Sequence, residues 1–217
     1  MSICLAIADA DWALTKDVFS VFGTMVSAIG VGLAAWIGFS GLATWRRQNK
    51  GTSDHDLSRR LLIDLYQLRD RIKHARNSLI LAGEGGVDDQ DQFLNFLQIS
   101  YRNTARSYKK RLALIDEVRV RLSASLLESE AVWGDQLRSR FEPIFKLQNE
   151  LFLNVRAYLI TINPDEEDET IEAYRNILKS RRDVRCQASL EDEDGFQIEF
   201  DEALSRVEDY LRPKLIR

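Results

Sequence analysis

Histidine, cysteine and proline are scarce in this sequence, and their scarcity excludes several classes of site. The 217 residues include two histidines, two cysteines and three prolines. His55 and His74 fall on one predicted helix, about five turns apart, which is too far to bind one metal ion. Cys4 and Cys186 do not form a metal motif with any neighbour. We therefore predict no metal site, and so few prolines favour helix throughout the chain.

The motifs of nucleotide, calcium and nucleophile chemistry are also missing. The glycines within residues 82–86 have neither a preceding strand nor the Lys and Ser or Thr of a P-loop. The acids within residues 88–91 lack the twelve-residue spacing of a calcium loop. No Ser-His-Asp or Cys-His pair can be assembled from two histidines. We expect no catalytic residue and no cofactor.

Charge is absent from residues 18–45, VFSVFGTMVSAIGVGLAAWIGFSGLATW. As an α-helix this run reaches about 42 Å, whereas a hydrocarbon core is about 30 Å thick. We therefore predict one transmembrane helix at 18–45, preceded by a short extracytoplasmic leader at 1–17. The leader carries more acidic than basic residues, unlike a cleaved signal peptide, so we expect the span to be retained in the bilayer.

Positive charge is concentrated on one side of the span. Arg46, Arg47 and Lys50 follow it, whereas a single lysine, Lys16, precedes it. The positive-inside rule then places the N-terminus outside and the C-terminal part in the cytoplasm. Cysteines at 4 and 186 would lie on opposite sides of the membrane and would not pair within one chain.

Residues 46–53 are predicted to form a basic juxtamembrane turn. Each basic residue near an anionic lipid surface contributes about 1 kcal/mol of attraction. Fixing the topology is an equally good explanation of these charges. The candidate contacts to anionic lipid are Arg46, Arg47, Lys50, Arg59 and Arg60.

Small residues occupy one face of the predicted span. Such a stripe lets helix backbones approach closely, which is how membrane helices associate. Glycine and alanine are also common in membrane helices that do not associate. We expect a homo-oligomer or a partner membrane helix, with this association face: Gly23, Ser27, Gly30, Ala34, Gly38 and Gly41.

Residues 54–217 predict a cytoplasmic, all-α antiparallel helical bundle with long coiled-coil-like helices. Apolar residues recur at steps of three and four over 54–81, after a cap at Thr52 or Ser53. A second helix starts near Asp89 and runs for about forty residues to Trp133. Its predicted apolar stripe is Leu94, Leu97, Tyr101, Ala105, Tyr108, Leu112, Ile115, Leu122 and Leu126. The later helices have predicted stripes of Leu137, Phe141, Ile144, Leu151, Val155, Tyr158 and Ile162, and of Phe200, Leu204, Val207 and Leu211.

Arg119 interrupts the apolar stripe of this second helix. Because an unpaired buried charge is costly, it either pairs with an acid of a facing helix or marks a wet seam.

Proline and glycine set the later boundaries. A third helix begins either at Asp135 or at Pro143, because proline is tolerated in a first turn. A fourth follows an Asn163 cap with Pro164 at its first position and ends near Arg185. The last helix covers 196–211 and is expected to stop before Pro213.

The net charge of −4, from 30 basic and 34 acidic residues, gives no general affinity for nucleic acid. One basic patch on the second helix is the exception. Basic patches can bind phosphate backbones. Because the acidic run 165–172 can pair with this patch, we do not expect nucleic acid as a partner. The patch consists of Arg102, Arg106, Lys109 and Lys110.

Several stretches resemble a group of uncharacterised bacterial proteins with one amino-terminal membrane helix. They are TWRRQ after the span, SRRLLIDLYQLRDRIKHARN, LESEAVWGDQL, FKLQNELF and the ending YLRPKL. The resemblance covers most of the chain from Thr44 onward. It implies a bacterial inner-membrane location and the same architecture, and it brings no assigned activity or site.

These patterns favour a non-catalytic scaffold or sensor that is anchored in the lipid bilayer and recruits an unknown protein partner. An oligomeric, membrane-perturbing effector in a stress or phage response is one alternative. A membrane-tethered enzyme that uses a divalent metal is another.

Overall fold

The computed structural model of the chain describes five helices. Its backbone is described over residues 9–77, 84, 94–186 and 194–215, with side chains from residue 16 except 43, 44 and 46–50. The helices are α1 (Asp9–Ala75), α2 (Phe96–Trp133), α3 (Gln136–Thr161), α4 (Asp168–Ser180) and α5 (Gly195–Leu215). No strand occurs in these ranges, so the predicted all-α fold is confirmed.

The chain divides into two compact units, Met1–Ser53 and Asp54–Arg217, which are described separately. In the first unit, Lys16–Leu42 is the stretch of described residues that is long and apolar enough to cross a membrane. It is 27 residues long, an 18-residue window within it has a mean hydropathy of 1.9, and none of its residues is buried. It begins and ends within three residues of the predicted span, 18–45.

The predicted juxtamembrane turn at 46–53 is wrong, because the backbone there is helical and belongs to α1. Neither Thr52 nor Ser53 begins a helix. No proline interrupts this segment, and one glycine, Gly51, costs a helix only about 1 kcal/mol relative to alanine. Helix α1 ends at Ala75, and residues 76 and 77 are not helical. The predicted extension of this helix to residue 81 is therefore wrong at residues 76 and 77, and residues 78–81 lie outside the described set.

The second unit is built from antiparallel neighbours. Trp133 Nε1 donates to Asp54 Oδ1 over 2.9 Å, and Arg121 Nε donates to Asp64 Oδ1 over 3.1 Å, so α2 runs back along the bundle part of α1. Gly134 turns the chain between α2 and α3 with φ +80°, a backbone conformation that favours glycine. The prediction that the third helix starts near Asp135 is confirmed, because Pro143 lies inside α3.

Helix α5 closes a four-helix bundle, in which α3 and α5 are antiparallel. Arg140 near the start of α3 lies over the Tyr210 ring near the end of α5, 5.1 Å from its centroid. Arg182 binds both Glu150 in the middle of α3 and Glu199 near the start of α5. The helices therefore alternate in direction in the order α1, α2, α3, α5, and α4 packs against α3.

The predicted apolar stripes form the core of this bundle. Stripe residues of α1 at positions 57, 61, 65, 68, 72 and 75 are each at most 1% exposed. In the other helices, the predicted residues with buried side chains are Tyr108, Ile115, Leu122, Leu126, Leu137, Phe141, Ile144, Leu151, Val155, Phe200, Leu204, Val207 and Leu211. Burial at this spacing is the main stabilising contribution to a bundle.

Two predicted helix starts differ from the structure, each because of an asparagine side chain. Asn95 accepts from the Gln98 N–H, and Gln98 Oε1 accepts from the Asn95 N–H, so α2 begins at Phe96; its predicted start near Asp89 lies outside the described residues. Asn163 instead accepts from the N–H of Asp165 in a turn, and α4 begins only at Asp168.

The last helix also passes its predicted stop. Pro213 lies inside α5, which continues to Leu215. A proline removes one backbone hydrogen bond, and this does not prevent two further helical residues at a terminus.

The first explanation of Arg119 requires an acidic partner, and no described acid forms an ion pair with it. Its Nη1 donates to the amide oxygen of Asn149 over 3.0 Å, and its guanidinium lies 5.0 Å from the centroid of the Phe145 ring. The half-buried side chain thus borders a hollow between α2 and α3, and pairing with a facing acid is the wrong alternative.

A buried arginine ties three parts of the bundle together. Arg76 follows α1 and is 1% exposed. Its Nε donates to the Val184 carbonyl over 2.8 Å, and its Nη2 donates to the Cys186 carbonyl and to both carboxylate oxygens of Asp194. Asp194 Oδ1 also accepts from the Gln197 N–H in the first turn of α5. One guanidinium therefore fixes the end of α1, the segment after α4 and the start of α5.

Replacing Arg76 by methionine should destabilise the fragment 54–217 by about 3–5 kcal/mol, because the acid and the carbonyls would lose their buried donor. Urea unfolding followed by circular dichroism measures the change. The matched control is Arg60→Met, which removes an exposed pair with Glu128 and should cost less than about 1 kcal/mol. Equal effects of the two substitutions would contradict the role given to Arg76.

Gln148 is the opposite case, a fully buried polar side chain without a partner among the described residues. It lies on the core face of α3 with 0% exposure, and neither its Nε2 nor its Oε1 is hydrogen-bonded. Leaving such a group unpaired costs about 1–3 kcal/mol.

Gln148→Met should therefore raise the free energy of unfolding of the same fragment by about 1–3 kcal/mol, since methionine has a similar shape and no polar group to bury. The matched control, Gln136→Met at the exposed start of α3, should change it by less than about 0.5 kcal/mol. A loss of stability in Gln148→Met would show that the amide has a partner.

Candidate functional site

One hollow of the bundle lies between α2, α3 and α4, and we name it the α4 groove. Its volume is 720 Å³. Its walls combine apolar side chains with hydroxyl and amide groups. They are formed by Leu97, Ser100, Tyr101 and Thr104 of α2, by Tyr158, Thr161 and Ile162 at the end of α3, by Asn163 and Pro164, and by Asp168, Ile171, Glu172 and Arg175 of α4.

The turn before α4 holds one end of this groove. Asp165 N–H donates to Asn163 Oδ1, and Gln98 Nε2 donates to Asp165 Oδ1 over 2.9 Å. These bonds connect the start of α2 to the segment between α3 and α4. Pro164 and the Asn163 side chain favour this tight turn over an immediate helix start.

The apolar face of helix α4 is only partly covered by the rest of the bundle. Ile171, Tyr174 and Leu178 recur at helical spacing, yet α4 has no buried residue. On the facing helix, Leu97 was predicted in the apolar stripe of α2 but is 67% exposed. The predicted stripe is buried or half-buried from Tyr108 onward and wrong at Leu97, which lies in the first turn of α2. Apolar surface therefore remains exposed in the α4 groove.

The charge of the α4 groove is negative at its α4 side. Residues 165–172 contain six acids and no basic residue. Arg175 is the basic residue that lines the groove, and its Nη1 donates to Glu172 over 2.8 Å. The arrangement thus offers an apolar floor next to a concentration of carboxylates, which is a surface for binding rather than a set of reacting groups.

Aromatic rings support the floor of the groove. Tyr158 meets the buried Tyr108 edge to face, with ring centroids 6.2 Å apart. Burial raises the pKa of the Tyr108 hydroxyl, so this group stays protonated at neutral pH. Arg185 lies over the Tyr158 ring at 4.1 Å, and its hydrogen bonds lower the pKa of the Asp183 carboxyl.

A second hollow of 570 Å³ adjoins the α4 groove, because Tyr101 and Asn163 line both. It lies between α2 and α3 and includes Lys109 and Asp116 of α2. From Leu97 to Asp116 the two hollows follow α2 for about 28 Å at the helical rise.

The predicted basic patch is not a set of free cations. Lys110 Nζ donates to the Glu84 carbonyl over 2.8 Å. Arg102 and Arg106 are half-buried, and each has a further interaction. Lys109 is exposed and lines the second hollow. The expectation that nucleic acid is not a partner stays a prediction.

The other predicted site residues lie in or near α1. Arg46, Arg47 and Lys50 have side chains outside the described set. Arg59 is exposed, whereas Arg60 Nη2 lies 2.8 Å from both carboxylate oxygens of Glu128. Their contact with anionic lipid stays a prediction.

The small-residue face of α1 is open. A Cβ added at any of its four glycines, Gly23, Gly30, Gly38 and Gly41, would meet nothing within 4 Å, and Ser27 and Ala34 on the same face are exposed. These positions therefore make no close helix contact within the described chain, and association through them stays a prediction.

Besides Arg76, the sequence analysis missed two buried or bridging arginines. Arg111 is 2% exposed, and its Nε and Nη2 donate to the two carboxylate oxygens of Glu84 over 2.6 and 2.7 Å. The signal was present, since Arg111 stands between Tyr108 and Ile115 on the apolar stripe. Arg182 lies in a connecting segment and had no such signal; the hydrogen bonds that it donates to Glu150 and Glu199 raise its pKa.

Among the residues that the structure describes, no three His, Cys, Asp or Glu side chains are grouped to hold a metal ion. No known protein-family model matches the chain, and no curated protein or solved structure shows significant similarity to it. The function is therefore argued from the geometry of this chain.

Proposed function

We propose that the chain is a single-pass, membrane-anchored helical bundle that recruits a protein partner at the bacterial inner membrane without catalysis. The observation that carries this proposal is the apolar helix Lys16–Leu42, in which every residue is exposed. Phe19, Ile37 and Phe39 are each more than 70% exposed. A helix that is hydrophobic all round requires an apolar environment, and the bilayer provides one.

The bundle supports the second half of the proposal. Its core is closed by apolar residues of four helices, and its buried arginines are bound to carboxylates and carbonyls. On the surface of the bundle, the α4 groove combines exposed apolar area with carboxylates. Such a surface suits recruitment of a partner.

The orientation is tested with the full chain in bacterial membranes. We expect the chain to resist alkaline carbonate extraction and its mass to show that residues 1–17 are retained. A reporter that is active only in the cytoplasm should be active when fused after Arg217. Replacing Arg46, Arg47 and Lys50 together by glutamine should give a mixture of orientations. The matched control replaces Lys109, Lys146 and Lys179 by glutamine and should keep one orientation. Reporter activity confined to the periplasm would refute the orientation, and extraction by carbonate would refute the anchor.

Association of the span is tested separately. Gly30→Leu and Gly38→Leu should each weaken self-association in a membrane two-hybrid assay by several fold, because a leucine prevents close approach of the backbones. Val21→Leu and Met25→Leu, on the opposite face, are the controls and should leave the signal unchanged. An unchanged signal in both glycine variants would remove the association face from the proposal.

A further inference from the structure

We propose that the α4 groove binds a basic amphipathic helix of a partner protein. This inference rests on the proposed function, because it names the partner class that the anchored bundle would recruit. Three observations support it: the apolar surface that the fold leaves uncovered, the dimensions of the groove and its charge.

The uncovered apolar surface lies on both sides of the groove. Leu97 on α2 is 67% exposed, and Ile171 on α4 is only half-buried. A helix with apolar residues at i, i+3 and i+4 would cover both side chains at once, and no described helix of this chain does so.

The dimensions fit a short stretch of helix. The α4 groove is an open hollow of 720 Å³, lined along α2 from Leu97 to Thr104 and along α4 from Asp168 to Arg175. Each of these walls is about 11 Å long at the helical rise, which accommodates about two turns of a docked helix. Tyr101 and Asn163 offer it a hydroxyl and an amide.

The carboxylates of the α4 groove determine that the docked helix should be basic. Two of the six acids of residues 165–172, Asp168 and Glu172, line the α4 side of the groove, and its one lining cation, Arg175, is already paired with Glu172. Lysines or arginines beside the apolar stripe of a docked helix would face these carboxylates, and an acidic helix would be repelled.

The test uses a dye-labelled, 18-residue peptide with leucine on one helical stripe and lysine elsewhere. Binding to the full chain in neutral detergent is measured by fluorescence anisotropy, with empty micelles as the blank. A peptide with glutamate in place of lysine should not bind. Leu97→Ala should weaken binding of the basic peptide about tenfold, because three buried carbons are lost. Leu127→Ala removes an equally exposed leucine of α2 outside the α4 groove and should leave binding unchanged.

The charge contribution has its own matched pair. Asp168→Asn combined with Glu172→Gln should weaken binding about threefold and flatten its dependence on salt. Glu202→Gln combined with Asp209→Asn on α5 removes the same charge elsewhere and should change neither.

Three outcomes would overturn the proposal. They are equal binding of the basic and acidic peptides, equal effects of the two leucine variants, or no binding. If the peptide does not bind and Leu97→Ala, unlike Leu127→Ala, reduces self-association of the chain, the groove would be assigned to a second copy of the chain instead. Carbonate extraction tests the membrane anchor independently, so failure of the anchor and failure of the groove are separate results.

Discussion

The guanidinium of Arg76 is the interaction on which the arrangement of the bundle depends. Apolar stripes press four helices together, but apolar contact alone does not fix where each helix ends. Arg76 does so, because its donors reach two carbonyls of the segment after α4 and the carboxylate that caps α5. A buried charge must have these partners, so Val184, Cys186 and Asp194 are held in place around Arg76.

This constraint has a consequence for α4. Arg76 holds Val184 and Cys186, Arg182 holds Glu150 and Glu199, and the turn at Asn163 holds the other end. Helix α4 is thus fixed at both ends while burying none of its residues. The α4 groove is the space left between this fixed helix and the bundle, which makes it a preformed surface.

Helical periodicity predicted the core well and the helix ends less well. The stripe of α1 in the bundle and the core residues of α3 are buried as predicted, because spacing of three and four residues determines which side chains share a face. The errors lie where a side chain competes for the backbone. Asn95 begins α2 later than expected, and Asn163 makes a turn instead of a cap. Periodicity also gave no reason to expect that Gly51 would remain helical.

The amino-acid sequence by itself determined the apolar helix, the all-α fold and the residues of the core, because each depends on composition and on spacing within one helix. Only the tertiary structure decided the partners of Arg76, which lie more than 100 residues away, and the α4 groove, whose walls come from three helices. The physical reason is that contacts between distant segments depend on how the helices pack in space. Spacing within one helix specifies which face is buried and leaves open which neighbour buries it.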